Sequence, residues 1–202
     1  VKILAGETLL VATGNRGKMS EISALFSPFS VRCVSLADLG FSGPEETEYS
    51  FAGNALVKAR AGAASSGLLT LADDSGLVVD ALGGAPGIYT ADWAEGPGPR
   101  DFTLAMVKTW ALLEAVRAPE PRRASFCCTL ALVRPDGYER VFAGQAVGRI
   151  IWPMRGALGH GYDPIFVPEG YEQTFAEMPD ALKNRISHRA DAFNKLIAAC
   201  FT

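Results

Sequence analysis

Apolar and polar positions alternate in blocks that predict an ordered series of strands and helices. Thr8-Leu9-Leu10-Val11-Ala12 is a short apolar run with the character of a buried strand. Thr13-Gly14-Asn15-Arg16-Gly17 then forms a turn, and Met19, Ile22, Leu25 and Phe26 recur at helical spacing on one face. A second strand is expected over Val31 to Leu36, followed by the acidic loop Ser42-Gly43-Pro44-Glu45-Glu46-Thr47-Glu48. Ser50 has the chemistry of an N-cap for an Ala-rich helix that stops near Gly67. Leu68-Leu69-Thr70-Leu71-Ala72 reads as a strand covered on both faces, delivering Asp73-Asp74-Ser75-Gly76 at its carboxyl end.

Beyond the glycine-rich Gly83-Gly84-Ala85-Pro86-Gly87 loop, Phe102, Met106, Thr109, Leu113 and Val116 set a helix from about Asp101. Two strands, roughly Ala124 to Val133 and Tyr138 to Ile150, flank Arg134-Pro135-Asp136-Gly137, which has the chemistry of a hairpin turn. A proline-bearing loop from Trp152 to Pro168, a polar segment and a helix from about Ser187 to Cys200 close the pattern. The order βα, βα, β, α, hairpin, α predicts an α/β or α+β fold with a mixed sheet. No repeat, low-complexity tract or linker divides the chain, so one compact unit over residues 1–202 is expected.

Composition narrows the function classes. With 49% hydrophobic and 20% charged residues the chain has the makings of an ordinary globular core. A net charge of -3 argues against a nucleic-acid polymer as partner, while a small acidic ligand needs only a local group of cations. No apolar run reaches the roughly 18–20 residues that span a bilayer, and the opening residues do not read as a secretory leader. Cys33, Cys127, Cys128 and Cys200 show no metal-like spacing, and neighbours in a strand are poor disulfide partners. A reduced, cytoplasmic setting is the expectation.

Several stretches carry candidate chemistry. Thr13, Gly14, Asn15, Arg16, Gly17 and Lys18 join a strand to a helix, where backbone N–H groups and the helix dipole attract anions. The spacing is not that of a P-loop, and a tight turn with a solvated lysine is the plainer reading. Asp73-Asp74 places two carboxylates beside the core, an arrangement that a hard cation such as Mg²⁺ offsets. Glu45-Glu46 could complete such a site; alternatively Asp74 and Ser75 cap a turn and the glutamates are solvated. His160 lies in a glycine-rich loop suited to a flat ligand, and His188 begins the last helix. An exposed ring and a helix-capping contact are the plainer readings of these two. With two histidines in all, a multi-histidine zinc site is excluded, and no motif ties either to a nucleophilic Ser or Cys.

Taken together, these stretches resemble the inosine triphosphate pyrophosphatase family, also described as dITP/XTP pyrophosphatases. The motifs are Thr13-Gly14-Asn15-x-x-Lys18, Ser50-Phe51-x-x-Asn54-Ala55-x-x-Lys58-Ala59 and Ala72-Asp73-Asp74-Ser75-Gly76-Leu77. Gly84-x-Pro86-Gly87-Ile88-Tyr89, Gly161-Tyr162-Asp163-Pro164-x-Phe166 and Ser187-His188-Arg189 follow in the family's order. The resemblance implies an elongated mixed β-sheet flanked by helices, two lobes around a central cleft, and a homodimer. It implies Mg²⁺-dependent hydrolysis of ITP, dITP and XTP to the monophosphate and pyrophosphate, cleansing the nucleotide pool. It places Thr13 to Lys18 on the triphosphate, Asp74 as metal ligand and proton acceptor, Glu45 as second metal contact and Ser75 beside the substrate. His160, Gly161, Tyr162, Asp163, Lys183, His188 and Arg189 would frame base and sugar. Lys58 is a further cation for phosphate, and donors at Arg189 and Lys183 would favour a 6-oxo purine over adenine.

The chain departs from the commoner family pattern at His160, Asp92 and Leu182, where an aromatic residue, Arg and Glu are usual. These changes bear on base preference rather than on phosphate and metal chemistry. Two other functions fit the same residues: hydrolysis of a modified pyrimidine triphosphate, and nucleotide sensing without turnover.

Overall fold

The structure is a computed structural model, and it describes residue 3 and residues 6–201. Six strands form one mixed sheet in the order β2-β1-β3-β4-β5-β6, with β1 Thr8–Val11, β2 Arg32–Ser35, β3 Leu69–Val79, β4 Arg123–Val133, β5 Glu139–Ile150 and β6 Phe166–Pro168. β1 pairs in parallel with β2 and β3, whereas β5 and β6 are antiparallel. The helices are α1 Arg16–Phe26, α2 Phe51–Ser66, α3 Phe102–Ala115, α4 Asp180–Ile186 and α5 His188–Cys200. This is the expected α/β fold with a mixed sheet. Among the described residues, no helix is long and apolar enough to cross a membrane.

The chain forms two compact units. The first comprises Val1–Asp74, Cys128–Gly144 and Arg189–Thr202; the second comprises Ser75–Cys127 and Gln145–His188. In the first unit, strand alternation sorts side chains onto two faces. Leu9, Val11, Leu69 and Leu71 pack with Ile22 and Phe26 of α1 and Ala192, Phe193 and Leu196 of α5. The alternate residues Leu10, Ala12 and Ala72 pack with Ala55, Ala59 and Ala63 of α2. Small residues at helical spacing let α2 lie close to the sheet. At Gly62 an added Cβ would come within 2.8 Å of Thr70 Cγ2 and 3.2 Å of Leu10 Cδ2.

The second unit has its own core, in which Phe126, Phe166 and Phe175 pack at ring-centroid separations of 4.7, 6.0 and 5.2 Å. The turn joining β4 to β5 closes with Arg134 N–H donating to Tyr138 O and Gly137 N–H to Arg134 O.

Two features differ from expectation. β3 does not end before the acidic pair but runs through Asp73-Asp74-Ser75-Gly76 to Val79. Leu77 and Val79 restore the apolar pattern and are fully buried, so the polar residues interrupt the strand's composition without interrupting its backbone. The polar segment after Pro168 contains α4, and β6 lies inside the proline-bearing loop. Both are too short to show a periodicity.

Candidate active site

The turn at the start of α1 is organised by its own asparagine. Asn15 caps the helix, its Oδ1 accepting from the N–H groups of Gly17 at 2.9 Å and Lys18 at 3.2 Å. Thr13 Oγ1 accepts from Asn15 N–H. Two of the amides expected to face an anion are thus occupied by the cap. Gly14 adopts no left-handed conformation and a Cβ there would meet nothing within 4 Å. Neither packing nor backbone geometry explains that glycine, which leaves room for close approach of a ligand.

Because Asp73 and Asp74 are neighbours in a strand, they project to opposite faces. Asp73 lies on the face covered by α1 and α5, and is buried with Lys18 Nζ at 2.9 Å and Arg189 Nη2 at 3.3 Å from its Oδ2. Arg189 also pairs with Glu21 of α1. Burial would raise the Asp73 pKa, but Lys18, Arg189 and Lys58 outweigh it and hold the carboxyl well below the usual range. Asp73 is therefore a permanent anion that anchors two cations. Cys128 lies within reach of these charges, and burial pushes its thiol up to about 12, so it stays protonated.

Asp74 lies on the α2 face. Its Oδ2 accepts from Asn54 Nδ2 at 3.2 Å, and its Oδ1 is 3.5 Å from Lys58 Nζ. Lys58 Nζ also reaches Glu46 Oε1 at 2.7 Å. Burial raises the Asp74 pKa and the Glu46 charge adds to the rise; Lys58, Lys18 and the Asn54 bond offset only part of it. Lys58 is itself held protonated, Asp74, Glu46 and Asp73 overcoming its burial. The pair read as one dianionic motif is thus two different groups, a fixed counter-ion and a more basic carboxylate.

The pattern of the Ham1 family matches residues 9–199. The chain belongs to the Ham1 family. Curated relatives of this Ham1 chain include the dITP/XTP pyrophosphatase of Ruegeria pomeroyi, 55% identical over 97% of this chain and 96% of that protein. The dITP/XTP pyrophosphatase of Rhodospirillum centenum is 52% identical over 98% and 96%. A HAM1 protein from Coxiella burnetii matches in structure with a TM-score of 0.87 at 33% identity, covering 96% of this chain and 98% of that one. A nucleoside-triphosphatase, or dITP/XTP pyrophosphatase, from Mycobacterium abscessus matches with a TM-score of 0.75 at 40% identity, over 94% and 98%.

In this Ham1 chain Glu46 of the acidic loop is the glutamate that reaches Lys58 of the Lys58–Asp74 group, although Glu45 and Glu46 are both exposed. Which of the two glutamates meets Lys58 is not legible in the sequence, and neither is the part played by Asn54 or Glu21. Asn54 stood inside a quoted motif, which was the available signal. The donor chemistry around Asp74 fits Mg²⁺: Asp74 and Glu46 offer hard carboxylate oxygens on either side of Lys58.

The remaining expected residues lie in the second unit. Ser75 follows Asp74 in β3 and is half-buried. His160 is exposed, with its N–H donating to Asp163 Oδ2 at 2.7 Å. Asp163 also accepts from Lys183 Nζ at 2.5 Å, and both are buried. Gly159 must lack a side chain, since a Cβ would fall 2.1 Å from that carboxylate. Gly161 follows with φ of +68°. Tyr162 is a core residue, its hydroxyl donating to Thr90 O at 3.1 Å. His188 stacks on Phe126 at 5.0 Å and 15°.

Proposed function

We propose that this chain hydrolyses ITP, dITP and XTP to the monophosphate and pyrophosphate with Mg²⁺ as cofactor, clearing altered purines from the nucleotide pool. It is a nucleoside-triphosphate pyrophosphatase, a hydrolase, as its family and its curated relatives indicate. The observation that carries the fuller reading is the adjacent pair Asp73 and Asp74 with a lysine on each, Lys18 at 2.9 Å from the first and Lys58 at 3.5 Å from the second. The triphosphate is assigned to Thr13, Gly14, Asn15, Arg16, Gly17, Lys18 and Lys58.

In the reaction a water oxygen bonds to the α-phosphorus, the bridging oxygen leaves with pyrophosphate, and Asp74 takes the water's proton. Asp74 and Glu46 would hold Mg²⁺, which when bound neutralises phosphate charge. Lys18 and Lys58 stabilise charge growing on the leaving group. Asp73 holds Lys18 in place, and Arg189 reaches that role through Asp73. Lys183, steadied by Asp163, is a donor suited to a 6-oxo purine; His160 and His188 offer rings for the base. A homodimer and a cytoplasmic setting belong to the same proposal.

The test is pyrophosphate release from ITP, XTP, dITP, ATP and GTP, each with and without Mg²⁺. The three deaminated substrates should turn over only with the metal, and ATP poorly. Tight ITP binding without turnover would make the protein a sensor, and preference for a pyrimidine triphosphate would reassign the substrate.

A further inference from the structure

We infer that Gly53 and Asn54 form a seat for the acidic loop, making Asn54 a positioning residue that delivers Glu46 to Asp74. The inference rests on the function proposed above, which assigns Asp74 and Glu46 their roles. Asn54 is buried and its amide is used at both ends: Nδ2 donates to Asp74 Oδ2 at 3.2 Å, and Oδ1 accepts from the Glu48 N–H at 2.9 Å. One side chain thus ties the orientation of the Asp74 carboxylate to the backbone of the loop two residues past Glu46. Lys58, one turn further along α2, repeats the link with Asp74 and the Glu46 side chain.

Gly53 provides the second, independent observation. A Cβ there would lie 2.6 Å from Glu48 Cβ and 2.9 Å from its Cγ. Glycine is a poorer helix former than alanine. Its place in the first turn of α2 is explained by the closeness of Glu48, since the colliding atom sits at the root of that side chain and cannot swing clear. Asn54 alone would hold the loop by one hydrogen bond; the missing side chain at Gly53 lets the loop come near enough to form it.

The test compares wild type with Asn54→Ala, Gly53→Ala and the double variant Glu48→Gly/Gly53→Ala. Gly53→Ala leaves every charged group of the cluster in place and only displaces the seat. Hydrogen exchange at the Glu48 amide should speed at least about tenfold in both single variants, with Mn²⁺ affinity of the nucleotide-free protein falling about 10–100-fold. kcat for ITP should fall by a similar factor while KM stays within about threefold. The double variant removes the colliding atoms, keeps the Glu48 N–H, and should restore slow exchange, Mn²⁺ affinity and kcat. Unchanged Glu48 exchange in Gly53→Ala would overturn the seat. Faster exchange with kcat and Mn²⁺ affinity unaltered would overturn the positioning role, as would a fall in melting temperature as the only effect. Should wild type fail to hydrolyse ITP, the proposed function fails; exchange and Mn²⁺ binding still decide the seat.

Discussion

Asp73 and Asp74 are chemically identical, adjacent and both buried, yet alternation along β3 gives them opposite partners and opposite behaviour. Asp74→Asn is nearly isosteric but can neither accept a proton nor bind a hard cation well, so kcat should fall below about a tenth of wild type, more than roughly 1.4 kcal/mol. Retention of more than that in the purified variant would remove Asp74 from the proton-acceptor role. For Asp73 the expected loss is in stability. Its folded pKa lies below its ordinary value of 3.8, so its contribution is present above that pH and is lost as pH falls through the folded value. In urea titrations near pH 6.5, Asp73→Asn should cost about 3–5 kcal/mol by leaving Lys18 and Arg189 short of a counter-ion. The gap to wild type should narrow steadily below pH 3.8. A gap that persists undiminished at pH 3 would mean that its charge is not the source.

Among the elements, α2 carries the most consequence, because one helix packs the sheet and supplies both Asn54 and Lys58. Its ends are set locally: Ser50 Oγ accepts from Gly53 N–H at 3.0 Å, and Gly67 closes it in the left-handed region. Its distance from the sheet is set by Gly62, and that distance decides how far Asn54 and Lys58 reach toward Asp74. Gly62→Val would drive a branched side chain against Thr70 and Leu10. Overpacking of this kind costs about 1–3 kcal/mol, which a lowered urea midpoint would reveal. A midpoint equal to wild type would show that α2 can lift from the sheet without penalty. In α1 the Asn15 cap sets the helix start, which places Lys18 in the first turn.

Over the molecule as a whole, Arg189 joins α5 to β3 and α1 through Asp73 and Glu21, across 116 and 168 positions of sequence. Removing it takes a cation from the buried Asp73 and the half-buried Glu21. Arg189→Ala should lower the calorimetric melting temperature by roughly 6–20 °C, from a loss of about 3–5 kcal/mol in a chain of this size; a drop under about 3 °C would show the pair to be dispensable. Ser50, Gly67, the Arg134–Gly137 turn and the apolar rhythm of α1 were legible in the sequence, because caps, turns and periodicity depend on residues a few positions apart. So was the family, whose ordered motifs are properties of the chain itself. That β3 continues through Asp73 and Asp74 was not legible, since a carboxylate interrupts a buried strand unless distant cations meet it. The same holds for Glu46 rather than Glu45 beside Lys58, for Tyr162 inside a core, and for Arg189 on a buried carboxylate. Each depends on which faces pack together, and local sequence carries no information about charges that another element brings, from 12 positions away for Glu46 and Lys58 to 116 for Arg189 and Asp73.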